Sequence, residues 1–279
     1  MSVISALFLG LVQGIAEFLP ISSSGHLSIF QNFFGMQTAE SGDLLFFDVL
    51  LHLATLVSVC LVYRKDIMVI ISDCTAFVKQ FGHPQPGGKK LLVGARELIM
   101  MFFATLPLLI AVIFNDSVEK LYYNTWFIGI ALLLTAAILY VGEQMPAGKY
   151  TARNMPVFSA LIVGICQAVA TIPGLSRSGT TIAAGKAAGL DSTYAVKFSF
   201  LISIPAILGA NILSLFKAIS AGIDAKSLPA YLLGMIIAAG VGYFAINFVK
   251  RLNAKGKFRF FSYYCAAVGV LTNLLSIIL

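Results

Sequence analysis

Charge is what this chain has least of. Only 11% of its 279 residues are Asp, Glu, Lys or Arg, against 59% that are hydrophobic, and the mean hydropathy is +0.92. Soluble proteins carry about 25% charged residues, so this composition excludes a soluble globular enzyme, and a disordered chain more firmly still. Paired cysteines are missing too. Cys60, Cys74, Cys166 and Cys265 form no C-x-x-C pair and three lie in apolar runs, which argues against a disulfide framework or a zinc site. No basic residue precedes Arg64, so the positive leader of a cleavable signal peptide is not expected.

What the sequence has instead is long apolar runs. A helix needs about 20 mostly apolar residues to cross a bilayer, and six stretches qualify: 44–63, 97–114, 126–142, 193–217, 228–249 and 260–279. Two others, 3–19 and 156–172, run into polar, glycine-bearing segments around Ser22-Ser23-Ser24-Gly25-His26 and Ser176-Arg177-Ser178-Gly179-Thr180-Thr181. Shorter returns follow at 27–35 and 182–190. Irregular backbone at membrane depth is stable only inside protein or beside a water-filled cavity. The expected fold is therefore an all-α polytopic integral membrane protein, a single membrane domain over 1–279. It has six full transmembrane helices and two re-entrant helical hairpins, 3–35 and 156–190, which open a first repeat core at 1–63 and a second at 156–217. Pro107 and Pro205 are expected to kink their helices, and Arg96 and Glu97 to anchor a span at the interface.

The net charge of +7 is a question of topology. With six alternating spans, fifteen basic residues fall on one side: Arg64, Lys65, Lys79, Lys89, Lys90, Arg96, Lys149, Arg153, Lys186, Lys197, Lys250, Arg251, Lys255, Lys257 and Arg259. Lys120, Lys217 and Lys226 fall on the other, beside Glu40, Asp43, Asp116, Glu119 and Asp224. The positive-inside rule makes the first side cytoplasmic. Both termini then face outward, and nucleic acid drops out as a partner.

Shifting the sequence by 154 positions superposes the two polar segments. Gly10 falls on Gly164, Gln13 on Gln167, Ala16 on Ala170, Ser22 on Ser176, Ser24 on Ser178 and Gly25 on Gly179. Three full spans separate the copies, so the second enters from the opposite face and the repeat has inverted topology. Broken helices in matching positions of two inverted halves mark a binding site near the midplane. Gly10 and Gly14 form a G-x-x-x-G pair that reads as helix packing.

Ionisable groups inside a membrane are expensive and therefore informative. Arg177 keeps its charge at any accessible pH and grips phosphate oxygens bidentately. Around it Ser176, Ser178, Thr180 and Thr181 supply hydroxyls, and Gly174 and Gly179 let backbone N–H groups approach an anion. This is a phosphate cradle but not a P-loop, because no Lys follows a G-x-x-x-x-G frame. The first hairpin carries Gln13 and Glu17, four apart and so on one helix face, then Ser22, Ser23, Ser24 and His26. A serine beside a histidine and a carboxylate supplies a nucleophile with acid–base help. Asp48 and His52, also four apart, are placed as a supporting pair.

Two of these segments resemble a known family. Gln13-Gly-Ile-Ala-Glu17-Phe-Leu-Pro20-Ile-Ser22-Ser23-Ser24-Gly25-His26 is similar to the [E/Q]xxxE-FLP-[IV]-SS-[ST]-GH motif of the undecaprenyl-diphosphate phosphatase (bacitracin-resistance) family. Pro173-Gly174-Leu175-Ser176-Arg177-Ser178-Gly179-Thr180-Thr181 is similar to its PGxSRSxxT motif. Phe47-Asp48-Val49-Leu50-Leu51-His52-Leu53 and Phe198-Ser199-Phe200-Leu201 also resemble its segments. Gln13 stands where some members have Glu, leaving Glu17 as the one acid of the motif. The other membrane phosphatase class fits poorly, because no second His follows Arg177 at its spacing.

The resemblance implies hydrolysis of a polyprenyl diphosphate to the monophosphate, recycling the lipid carrier of cell-wall synthesis, in the bacterial plasma membrane and from an outward-facing site. Ser23 is the expected nucleophile, with direct attack by water as the other route. His26 is the expected acid–base group, and Glu17 the base or, with Gln13, the ligand of a divalent cation, Mg2+ or Ca2+. The expected partners are the polyprenyl diphosphate lipid, the bilayer and a second copy of the chain. The rival reading is a polyprenyl-phosphate transporter, or flippase, using the same phosphate site.

Overall fold

The computed structural model describes residues 2–33, 42–82, 92–114, 118, 120–146, 148–221 and 225–278. Glu40, Lys89, Lys90, Asp116, Glu119 and Asp224 of the charge pattern lie outside them, as does the end of the first expected hairpin. Among the described residues there is no strand, only one isolated bridge between Tyr150 and Leu190. Twelve α-helices concern us: α1 Val3–Ala16, α2 Ser23–Phe33, α3 Gly42–Val62, α4 Arg64–Gly82, α5 Val93–Thr105, α6 Leu108–Ile113, α7 Thr125–Gln144, α8 Val157–Val169, α9 Arg177–Ala187, α10 Ser192–Ala221, α11 Leu228–Ala254 and α12 Arg259–Ile278.

Five stretches are long and apolar enough to cross a membrane: 93–113 (α5 with α6), 125–144, 192–216, 228–254 and 259–278. The sixth expected span is α3, and here the structure adds an element. Instead of a basic loop after residue 63, α4 follows at a bend of 78°. Its first residues, Arg64-Lys65-Asp66, read as loop because they are charged. Yet Ile67, Ile70 and Cys74 recur at helical spacing and pack on the main core, with Ile70 buried and the other two partly so. Lys197 of α10 reinforces the docking, with its Nζ 2.6 Å from Asp66 Oδ1 and 3.3 Å from Glu97 Oε2 of α5. This corrects the interfacial reading of Glu97, which is 3% exposed. Arg96 donates to the Met155 carbonyl at 2.9 Å. Lys186 is likewise spoken for, 3.3 Å from Glu143 Oε2 and packed over the Phe258 ring. Pro107 separates α5 from α6, whereas Pro205 sits inside an unbroken α10.

The two short pairs α1–α2 and α8–α9 match in detail. The offset from Val3 to Val157, from Ser23 to Arg177 and from Phe33 to Ala187 is 154 each time. At 1.5 Å per residue, 11-residue helices such as α2 and α9 reach only about 16 Å, roughly half a hydrocarbon core. Both returns begin earlier than 27 and 182. The polar tips are helix first turns, because a serine caps each one. Ser22 Oγ accepts from Gly25 N, and Ser176 Oγ accepts from Gly179 N, both at 3.1 Å. Ser22 itself has φ +73°, a left-handed backbone that costs a non-glycine residue energy.

The packing repeats too. α1 lies on α11 and α8 on α5, while α3 pairs with α10 and α7 with α12. Gly10 and Gly164 allow the first two approaches. A Cβ at Gly10 would strike the backbone of Gly234, and one at Gly164 the backbone of Ala104. Phe18, fully buried in the first hairpin's turn, meets Phe200 of α10 edge-on at 5.6 Å and ties the turn to the core.

Candidate active site

The ends of α1 and α8 and the starts of α2 and α9 converge on a cavity of about 330 Å3. Glu17, Ser22, Ser23, Ser24, Ser176 and Arg177 line it, together with Asp48 and His52 of α3. Glu17 is the hub. Its Oε1 is ion-paired with Arg177 Nη2. Its Oε2 accepts from Ser23 Oγ at 2.8 Å and from Gln13 Nε2 at 3.0 Å, with His52 Nε2 at 3.8 Å. Glu17 is 7% exposed and Gln13 fully buried. A carboxylate removed from water at this depth needs the guanidinium and its hydrogen-bond donors to offset the lost hydration. Arg177 Nη1 is buried with no hydrogen-bond partner among the described residues. Arg177 and Ser23 are the first residues of α9 and α2, so two helix N-termini, each with partial positive charge, face the same space.

The three serines of the first hairpin have different duties. Ser22 caps α2. Ser24 Oγ accepts from Gly174 N at 3.3 Å and so stitches the two hairpins together. Only Ser23 turns its hydroxyl to the carboxylate. In the second hairpin, Ser178 donates to the Leu19 carbonyl at 3.3 Å, and Thr181 is paired with Ser199 Oγ at 2.6 Å. Gly174 has φ +90°, and its carbonyl accepts from Thr135. Gly174, Ser178, Gly179, Thr180 and Thr181, expected around the anion, are therefore not among the cavity's lining. They build the turn beneath it.

The structure also separates the two histidines. His26 Nδ1 donates to the Ser22 carbonyl at 2.8 Å, which leaves Nε2 to accept from the Tyr264 hydroxyl, also at 2.8 Å, with the two rings nearly parallel. Both nitrogens are engaged and the ring does not line the cavity. His52, expected only to support the site, does line it. Its Nδ1 donates to the Asp48 carbonyl at 2.8 Å, so Nε2 is the free edge toward Glu17. Gln167, Thr171, Asn211 and Ser214 also line the cavity and were not singled out. Gln167 had a signal, being the repeat mate of Gln13. Asn211 and Tyr264 had none, since each reaches its place by tertiary packing alone.

Among the described residues no three His, Cys, Asp or Glu side chains group into a ready metal cage. The donors present are the Glu17 and Asp48 carboxylates on one cavity, with a Gln13 Oε1 that lacks a hydrogen-bond partner behind Glu17. They fit a cation of the kind held by one or two carboxylates and completed by substrate phosphate oxygens.

Fold and cavity together define an all-helical, multi-pass membrane protein with a polar site assembled from two matched, broken helical pairs. Comparison with known proteins narrows the class. A family model described as bacitracin resistance protein BacA matches residues 6–271, and the chain belongs to that family. It is 38% identical to an undecaprenyl-diphosphatase of Methanosphaera stadtmanae over the full length of both proteins. It is 36% identical to one of Halothermothrix orenii over 99% of each. Undecaprenyl-diphosphatase 1 of Shouchella clausii is 39% identical over 97% of this chain and 95% of that protein.

Proposed function

We propose that the chain hydrolyses undecaprenyl diphosphate to undecaprenyl phosphate and inorganic phosphate, recycling the lipid carrier of cell-wall synthesis and conferring bacitracin resistance. One observation carries the reading: the Ser23 hydroxyl donates to a Glu17 carboxylate that is clamped by Arg177 from the other half of the repeat. Phosphoryl transfer needs positioning and charge neutralisation above all. The Arg177 guanidinium and the N-termini of α2 and α9 supply the positive field for the diphosphate. Ser23 Oγ attacks the terminal phosphorus as its proton passes to Glu17. The bond to the bridging oxygen breaks, and the lipid phosphate leaves. Water then attacks the phosphoserine, releasing phosphate and restoring Ser23. His52 Nε2, facing the same cavity, is the acid–base group for the leaving oxygen and the water. His26 acts through Ser22, whose carbonyl it holds. A divalent cation, Mg2+ or Ca2+, held by Glu17 with Asp48 or Gln13, would neutralise diphosphate charge.

The two hairpins are re-entrant, the six spans alternate and the repeat is inverted. The cavity lies beside the N-terminal half of α3 and the C-terminal half of α10, the side away from the basic residues, which gives an outward-opening site and outward termini in the plasma membrane. Transport finds no counterpart in the names of the relatives above. The test is phosphate release from undecaprenyl diphosphate by detergent-purified protein and by Ser23→Ala. Release by the native chain alone is expected. No release by either rejects hydrolysis, and equal release by both rejects Ser23.

A further inference from the structure

A threonine in the middle of a helix often returns its hydroxyl to the carbonyl four residues back. Thr105 does so to Met101 at 2.7 Å, and Thr272 to Val268 at 2.8 Å. Thr135, in α7 and 1% exposed, turns its hydroxyl to another element instead. Its Oγ1 donates to the Gly174 carbonyl at 3.1 Å and accepts from the Ser176 N–H at 3.0 Å. One hydroxyl therefore bridges both ends of the Gly174-Leu175-Ser176 turn. Ser176 is the N-cap of α9, and Arg177 is the next residue. The turn is pressed onto α7. A Cβ at Gly174 would fall 2.6 Å from that of Ala131, and Leu175 is buried in a small cluster with Ala131 and Ala170. Thr135 itself does not line the cavity.

The other half of the repeat is pinned at the matching place. Cys265 Sγ of α12 donates to the Pro20 carbonyl at 3.6 Å, and Pro20 lies 154 residues before Gly174. The two pins, Thr135 and Cys265, are 130 residues apart, the same offset that relates Ala104 and Gly234, the packing partners of Gly164 and Gly10. The pins are not equal. A thiol is a weak donor and holds one carbonyl, whereas the Thr135 hydroxyl holds two backbone groups. The stronger pin is on the hairpin that carries Arg177.

We propose that Thr135 is a positioning residue for phosphoryl transfer: by holding Gly174 and Ser176 at once it fixes where α9 begins, and so aims the Arg177 guanidinium at Glu17 and at the diphosphate. This rests on the polyprenyl diphosphate reading. Without the hydroxyl, the Gly174 carbonyl and the Ser176 N–H are buried and unpaired, which is costly. The turn shifts to find them partners, and Arg177 shifts with it. A misplacement of about 1 Å is worth about 10²-fold in rate.

The test is steady-state phosphate release from undecaprenyl diphosphate by the purified full chain. It is run well below the unfolding midpoint of every variant, so that a change in folded fraction does not enter. Thr135→Val keeps the shape and removes the hydroxyl, and is expected to lower kcat by about 10²-fold. Thr135→Ser keeps the hydroxyl and should restore most of that loss. Ser159→Ala is the control. It removes the same kind of bond from the far end of the same hairpin, where Ser159 Oγ donates to the Ala188 carbonyl at 2.8 Å, and should leave kcat near native. Should Thr135→Val not fold, Thr135→Ala, which places no methyl against the Ser176 N–H, carries the same expectation. Near-native kcat in a folded variant without the hydroxyl overturns the role of Thr135. So does a Thr135→Ser variant as slow as Thr135→Val, or an equal loss in Ser159→Ala, which would make the effect a general loosening of the hairpin. A native chain that releases no phosphate overturns the hydrolase reading, and the role of Thr135 with it.

Discussion

Removing the guanidinium of Arg177 should have two separable consequences. Glu17 is 6% exposed at its side chain and Arg177 17%, so Arg177→Ala leaves a carboxylate buried without its cation. Breaking a buried pair from one side costs about 3–5 kcal/mol. Gln13 and Ser23 still donate to Glu17, which places the expected loss toward the lower end. The double variant Glu17→Gln/Arg177→Met removes both charges while keeping similar volumes, and should recover most of that stability. Activity should not follow. An arginine that neutralises the transition state of phosphoryl transfer is worth about 10³–10⁵ in kcat, and the double variant lacks both it and the base beside Ser23. The assays are thermal unfolding in detergent and steady-state phosphate release on the same preparations. Two results would refute the reasoning. One is Arg177→Ala as stable as the native chain, which denies the buried pair. The other is phosphate release restored in the double variant, which makes the pair structural only.

Three further expectations rest on the polar contacts. His52→Ala should lower kcat by about 10²–10⁴, the usual contribution of an acid–base group. Tyr264→Phe, which removes only a hydrogen bond to His26 worth about 0.5–1.5 kcal/mol, should leave kcat and its pH profile near native. A pH profile shifted by Tyr264→Phe but not by His52→Ala would return the acid–base role to His26. On the opposite side of the protein, Lys197→Met should cost about 3 kcal/mol, low in the range for a broken buried pair because Lys197 is 24% exposed. Adding Glu97→Gln should recover part of it, and no recovery would mean that Glu97 does not depend on Lys197.

How much of this was legible depends on which interactions are local. Apolar run length located the long helices, because a span must be covered by its own side chains. The repeat was visible because both hairpins need the same serine cap, the same glycine at the crowded first turn and the same glycine on the packing face: Ser22 and Ser176, Gly25 and Gly179, Gly10 and Gly164. α4 was hidden because its first turn, Arg64-Lys65-Asp66, looks like any charged loop, and its docking depends on Lys197 far along the chain. The pairing of Glu17 with Arg177 has its ground in scarcity, since a buried carboxylate in a chain this poor in charge has few places to find a cation. The histidines could not be sorted that way. His26 sits next to the serines in sequence, but its ring is turned to Tyr264, 238 residues on. His52 reaches Glu17 only because α3 packs beside α1 and α10.

The most direct measurement is turnover of undecaprenyl diphosphate by the purified protein in water enriched in 18O, with mass analysis of both products. Hydrolysis at the terminal phosphorus puts one 18O atom from solvent into the inorganic phosphate and none into undecaprenyl phosphate. Label in the lipid phosphate, or no inorganic phosphate whichever divalent cation is supplied, would contradict the account.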